Sequence, residues 1–456
     1  MSEALESESC QMIKVLKHPI YARLFSAQVI ALLGTGLLTV ALALLAFDLA
    51  GDKAGAVLGT AFAIKMIAYV GLAPVANAVS EKFPRKAVLI GADLIRAAVA
   101  LFLPFIDAVW QIYVLIFVLQ AASATFTPAF QAIIPDILKD EKDYTNALSL
   151  SRLAYDLENL ISPALAGLLL TFMSYHWLFG GTLFGFVASA AIVSIVSIPS
   201  IARQQKSRPF FERLTRGVRI YLATPRLRGL LALNLAAAAA GAFIIVNTVV
   251  IVLSVYGRSQ TDLAYALMAF GGGSMITALL LPRLLEFVCD RTLMLTAGFA
   301  LTILTIGHAL YTLAIGLPVW EVFLSAWAAS GMLYAAILTP SGRLLRNSAH
   351  AEYRPSIFSA QFALSHACWL LTYPIAGWAG QAFGLSVTMI ILGVIALIGS
   401  VAAFIIWPFA ETAELVHDHS DLPPDHPHLR EYQADGKRHQ HPFVIDDEHR
   451  AWPTHG

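Results

Sequence analysis

Apolar residues run in blocks of about twenty along most of this chain, each long enough to cross the hydrocarbon of a bilayer as a helix. Twelve blocks can be drawn, over 24–47, 56–79, 87–106, 111–135, 148–173, 178–200, 229–254, 263–281, 293–315, 319–339, 356–378 and 385–407. The pattern predicts an all-α polytopic membrane protein with twelve transmembrane helices. A long polar stretch, 201–228, divides them six and six, as two pseudo-repeat bundles. The expected units are a leading segment 1–23, bundles 24–200 and 229–407, the linker 201–228 and a hydrophilic tail 408–456.

Composition strengthens this reading. Of 456 residues, 58% are apolar and 13% charged, about half the charged share of a soluble protein, which excludes an ordinary soluble enzyme. Lys plus Arg and Asp plus Glu are 30 each, so no basic excess points to nucleic acid. Cys10, Cys289 and Cys368 form no C-x-x-C pair and no disulfide framework. The first twenty residues, with Glu3, Glu6, Glu8, Lys14 and Lys17, lack the apolar core of a cleaved signal peptide.

Lysine and arginine orient the spans, because short cytosolic loops accumulate them. The loops and ends on the amino-terminal side hold 25, the opposite loops only Lys53 and Arg258. Both termini are therefore expected in the cytosol. The linker carries eight basic residues against Glu212, and Phe210, Phe211, Leu214, Val218 and Tyr221 alternate there with Arg213, Arg216 and Arg219. This predicts an amphipathic helix on the inner leaflet, or a plain linker.

Ionisable residues at bilayer depth cost about 2.5–3.5 kcal/mol each, so each asks for a partner or water. Span 5 concentrates them: Arg152, Asp156, Asn159 and Pro163 share one face, and Ser151, Tyr155, Glu158 and Ser162 the next. Arg152 and Asp156 are spaced to pair. Glu158, near the midplane, reads as a proton carrier or cation ligand, or alternatively as a carboxyl held neutral by Tyr155 and Ser162. Lys65 lies too deep in span 2 to reach headgroups. Asp93 and Arg96, three apart in span 3, read mainly as a structural pair.

Beyond Trp407, residues 411–456 hold eight of the thirteen histidines, with the pairs His417/His419, His426/His428 and His439/His441. Alternate residues of an extended chain share a face, so each pair offers two imidazoles to a divalent transition metal. A solvated disordered tail is the alternative, against which Phe443-Val-Ile445 and Trp452 look apolar enough to dock.

Two further features carry a family resemblance. The motif Pro163-Ala-Leu-Ala-Gly167 of span 5 has an echo in Pro374-Ile-Ala-Gly377 of span 11, and six plus six spans flank a basic linker. Over residues 20–407 the chain resembles the major facilitator superfamily. Phe126-Thr-Pro-Ala-Phe-Gln131, the stretch 143–158 and the pair Asp93/Arg96 resemble a branch that includes nickel- and cobalt-resistance exporters. The resemblance implies a multi-pass protein of a bacterial inner membrane, and a charge latch after span 2 at Glu81, Lys82 and Arg85, with which Asp93 and Arg96 are grouped. It sets span 2 beside span 11, hence Lys65 near His366, and makes spans 1, 4, 7 and 10 line a cavity with Gln28, Gln120, Asn234 and Asn247.

The resulting expectation is a secondary transporter without cofactor, exporting Ni²⁺ or Co²⁺ by alternating access in exchange for protons. Efflux of a drug or siderophore is the second reading, and a non-transporting metal sensor the third. Metal export predicts that cells lacking the protein accumulate more nickel or cobalt, read directly as cellular metal content. Unchanged metal content alongside drug sensitivity selects the second reading.

Overall fold

The computed structural model describes residues 14–72, 83–138, 140–197, 210–349 and 353–409, and in the tail 415–418, 438–441, 444–445, 449 and 452. The first six spans are α1 (Pro19–Ala50), α2 (Ala54–Ile67), α3 (Arg85–Phe102), α4 (Val109–Ile137), α5 (Glu141–Leu170) and α6 (His176–Ile195). The linker forms α7 (Phe210–Ala223). The second six are α8 (Pro225–Val250), α9 (Gln260–Phe287), α10 (Asp290–Ala314), α11 (Trp320–Leu338), then, after the short α12 (Ser341–Arg346), α13 (Arg354–Pro374), which continues through α14 (Gly380–Phe383), and finally α15 (Leu385–Ile406). Each expected span falls on a helix within its described residues. The face where α1 begins and α15 ends is called the near face here, and its opposite the far face.

Local chemistry sets the boundaries. Pro19 and Pro225 stand at helix starts, where a missing N–H costs nothing. Ser259 and Asp262 cap α9 reciprocally, Ser259 Oγ accepting from the Asp262 N–H at 3.2 Å and Asp262 Oδ2 from the Ser259 N–H at 3.1 Å. Gly384, at φ +82°, makes the turn that separates α14 from α15. Wide π turns extend α2 (Ala68–Leu72), α8 (Ile251–Val255) and, after Pro374, α13 (Ile375–Ala379). Among the described residues nine helical stretches are long and apolar enough to cross a membrane, and one of them, Pro19–Gly71, holds both α1 and α2.

Packing repeats from one half to the other. In the first half α1 packs on α6 and α5, α3 on α6 and α4, and α2 on α4. In the second, α8 packs on α15 and α13, α10 on α15 and α11, and α9 on α11. The same correspondence exchanges the two main contacts between halves, α5 with α9 and α2 with α13. Here the echoed motifs acquire a physical role. Gly167 of α5 lies against Ala264 and Met268 of α9, where a Cβ would come within 2.7 Å of the Ala264 carbonyl oxygen. Gly377, beyond α13, lies equally close to Gly55 and Ala56 of α2. Both contacts are near the far face, where Trp378 Nε1 also donates to Thr60 Oγ1 at 3.0 Å and Ser254 to the Asp52 carboxylate. The halves are thus closed on one another at the far face.

Inside the first half, Asp93 and Arg96 form a buried ion pair. Ser189 Oγ donates to the second Asp93 oxygen at 2.7 Å, and the guanidinium lies between the rings of Phe126 and Phe186, 4.5 and 4.6 Å from their centroids. The pair therefore ties α3 to α4 and α6. The linker helix differs from its expected place on the leaflet: Ile220 and Tyr221 are fully buried, Gly217 touches Ser356, and Tyr221 donates to Gln361. Its apolar face is taken up by α13. In the tail, β1 (Leu415–Asp418) pairs antiparallel with β2 (Arg438–His441), His417 opposite His439, and Ile445 is buried in the main core with Trp452 packed against it.

Two substitutions test this account by thermal unfolding in detergent. Gly377→Leu forces α2 and the α13 extension apart and is expected to cost roughly 1–3 kcal/mol, while Gly272→Ala, with open space around it, stays near wild type. Arg96→Met strands a buried carboxylate and is expected to cost about 3–5 kcal/mol.

Candidate functional site

Two spans of the first half bring opposite charges to one level. At 1.5 Å per residue, Lys65 is about 16 Å from the far end of α2 and Glu158 about 18 Å from the far end of α5. Each acts on the other electrostatically, and both are half-buried. The sequence gives Glu158 no cation on its own helix face; Lys65, from another span, supplies one. Ser162, expected to hold the carboxyl, instead lies against Gly36 of α1, its Oγ without a hydrogen-bond partner among the described residues. Arg152 and Asp156 belong to α5, and their side chains lie outside the described part, as does that of Tyr155.

From Lys65 a chain of rings leads into the second half. Its ammonium lies 5.8 Å from the Tyr69 ring centroid, a cation–π contact. Tyr69 meets Phe362 and His366 edge-on, with centroids 5.8 and 5.4 Å apart. His366 sits 4.0 Å from the Phe362 ring, and its Nδ1 is 2.6 Å from the Phe362 carbonyl oxygen. Lys65 and His366 are neighbours with Tyr69 between them. Further toward the far face, Tyr373 contacts Trp369 at 4.9 Å and Phe62 of α2 at 5.0 Å, and it lies within the electrostatic reach of Glu158 and Tyr334.

Phe362, His366, Trp369 and Tyr373 are spaced four, three and four apart, so α13 turns one stripe of rings toward the seam. Sequence reading weighed only the histidine in that stripe. The spacing was the available signal, although such spacing marks ordinary core just as often.

The four polar residues expected to line a cavity are all buried. Gln28 accepts from Ser151 at 3.2 Å, joining α1 to α5, and Asn247 donates to the Ala376 carbonyl at 3.0 Å. Gln120 Oε1 and Asn234 Nδ2 have no hydrogen-bond partner among the described residues. Of the latch, Glu81 and Lys82 lie outside the described residues, and Arg85 opens α3. Asp93 and Arg96 are enclosed within the first half, where the pair serves its packing. Of the tail histidines, His419, His426 and His428 lie outside the described residues, while His417, His439 and His441 stand in the paired strands. Among the described residues no three His, Cys, Asp or Glu gather as a metal cluster.

The arrangement is two opposite charges within electrostatic reach of one another, flanked by aromatic faces and set where two similar halves meet. Chemically it can trade a proton or a cation at Glu158 and offer ring faces to an organic molecule.

Known proteins share this build. The uncharacterized MFS-type transporter YfiS of Bacillus subtilis (strain 168) is 25% identical over 395 residues, covering 82% of this chain and 92% of that protein. The multidrug efflux pump Tap of Mycolicibacterium fortuitum is 23% identical over 372 residues, 76% of this chain and 88% of the pump. Macrolide efflux protein A of Streptococcus pyogenes is 26% identical over 196 residues, which is 42% of this chain and 48% of that relative. Among solved structures, the nucleoside transporter NupG matches at TM-score 0.61 and 14% identity, over 86% of this chain and all of NupG. A bacterial homologue of the human lysosomal transporter Spinster matches at TM-score 0.59 and 15% identity, over 85% of this chain and 96% of the homologue. At such identities these structures speak for the fold alone.

The narrower resemblance to nickel and cobalt exporters is not carried by these relatives, whose names, where a function is given, speak of efflux of macrolides and multiple drugs. The family model of the Major Facilitator Superfamily matches residues 24–318, well over half of the chain. With the repeated six-helix packing it leads to one conclusion: the chain belongs to the Major Facilitator Superfamily and is an integral membrane transporter of small molecules rather than an enzyme.

Proposed function

We propose that this transporter exports a small organic compound across a bacterial inner membrane in exchange for protons, with its near face in the cytosol. The observation that carries the reading is the placement of Lys65 and Glu158 at one mid-depth level, within electrostatic reach of one another and near Tyr69, His366 and Tyr373. The excess of basic residues on the near face supports the orientation, and the relatives named for macrolide and multidrug efflux support the direction and substrate class. Sequence reading ranked a metal first. One carboxylate, one ammonium and several rings suit an amphipathic organic molecule better than a transition-metal ion, which asks for about four N, O or S donors.

The chemistry follows from neutrality. With Lys65 charged, an ionised Glu158 completes a pair whose sum is zero, so neither is stranded in a low-dielectric site. A proton taken up by Glu158 breaks the pair and leaves a net positive charge in the site, disfavouring a cationic or amphipathic guest there. Loss of the proton restores the acceptor. Proton and substrate therefore compete for one carboxylate, which is the minimal requirement for exchange.

Metal export retains one supporting observation, the strand register that sets His417 opposite His439 in the tail. A metal bound there would be captured on the near face, outside the transport site.

The test uses everted vesicles with an acid interior. The wild type is expected to accumulate a macrolide or a cationic dye only while the pH gradient stands. Glu158→Gln is expected to fall to the level of vesicles lacking the protein, with normal amounts in the membrane. Gradient-independent accumulation, or full activity in Glu158→Gln, overturns the reading.

A further inference from the structure

The far face of a carrier must close in one half of its cycle and open in the other, so some group has to set the register of the closed joint. Asn247 stands at that joint. It lies three residues before the end of α8 and is 1% exposed, where an amide left without partners would be costly. Its Nδ2 donates to the Ala376 carbonyl at 3.0 Å. Its Oδ1 faces across the seam, 2.7 Å from where a Cβ on Gly55 of α2 would sit, and 3.3 Å from the same point on Gly380. One side chain of α8 thus borders both the run beyond α13 and α2 of the other half.

The local chain explains why that carbonyl needs a donor. Past Pro374 the helix widens into the π turn Ile375–Ala379. In an α-helix the Ala376 carbonyl would accept from the Gly380 N–H; here that N–H bonds to the Gly377 carbonyl. The Asn247 amide takes up the carbonyl so released. The next residue is Gly377, whose missing Cβ admits Gly55, Ala56 and Gly59 of α2. Holding Ala376 therefore fixes the stretch of backbone that meets α2.

Two other hydrogen bonds cross the far seam in different surroundings. Thr60 Oγ1 accepts from Trp378 Nε1, and the Asp52 carboxylate from Ser254, both at exposed positions, where losing the bond strands no buried group. The correspondence between halves supplies no second Asn247. Counted from Pro19 and Pro225, its match in α1 is Ala41, which has nothing to donate.

We propose that Asn247 is the positioning residue of the far gate: by gripping the Ala376 carbonyl it holds the π turn in the form that seats Gly377 on α2, and the closed far face depends on that grip. Opening carries α2 away from Gly377 and from the Asn247 Oδ1 together. The role belongs to alternating access itself, whatever is carried and whichever ion drives it.

The experiment reads the distance across the far face by pulsed electron paramagnetic resonance in detergent. Nitroxides are placed at Lys53→Cys in the first half and Leu317→Cys in the second, both exposed, with Cys10, Cys289 and Cys368 replaced by Ala. The parent is expected to show mainly the closed distance. Asn247→Ala strands the buried Ala376 carbonyl and is expected to raise the ratio of open to closed about tenfold. Asn247→Leu removes the donor at nearly constant volume and is expected to do the same, so the answer does not hang on the folding of one variant. Thr60→Val, which removes an exposed bond, is expected to stay within about twofold of the parent. If both Asn247 variants keep the parent ratio, or if Thr60→Val opens the far face as far as they do, the assignment is wrong. Neither substrate nor pH gradient enters the measurement, so either result leaves the exchange reading to its own test.

Discussion

An ion stranded in hydrocarbon is costly, and that cost organises this molecule. Lys65 and Glu158 lie on different spans, so each is tolerable only while α2 and α5 turn the same way, inward to the seam. Once both must face inward, the polar stripe of α5 has to be covered by the other half, and α9 supplies the main cover. The pair thereby fixes the rotation of the helices around it.

The two halves have similar frames and different chemistry. The main helix contacts of the first recur in the second, including the pair of contacts that joins them. Yet α5 brings a carboxylate to the seam, while its counterpart α13 brings Phe362, His366, Trp369 and Tyr373. One half carries the charge and the other reads it.

Much of the fold could be read before the structure was known, because lipid allows few solutions. Twelve apolar runs became twelve helices since backbone polar groups in hydrocarbon have no partner outside a helix. The echo of Pro163–Gly167 in Pro374–Gly377 marked the seam itself, where only glycine admits a neighbouring backbone. The site was less legible. Lys65 and Glu158 stood out as charges in spans, but nothing local paired them, since they are 93 positions apart in the chain. Tyr69 and Tyr373 carry no signature that separates a ring at a seam from a ring in a core. Ser162 was assigned to Glu158 by helix spacing, and the nearby glycine of α1 drew it elsewhere. The linker helix was matched to lipid because amphipathicity records that an apolar face exists, not what covers it. The nickel and cobalt expectation leaned on histidines of the tail, remote from the seam.

The glycine contacts at the far face have a mechanical consequence. Adhesion between packed surfaces scales with the apolar area they hide, about 25 cal/mol for each Å², and Gly55, Gly59, Gly167 and Gly377 contribute almost no side-chain area. Such a joint can shut tightly enough to exclude solvent and still part with little work. Bulky interlocking side chains would seal equally well but stick. A carrier that must open and close on every turnover is better served by a smooth, weakly adhesive closure.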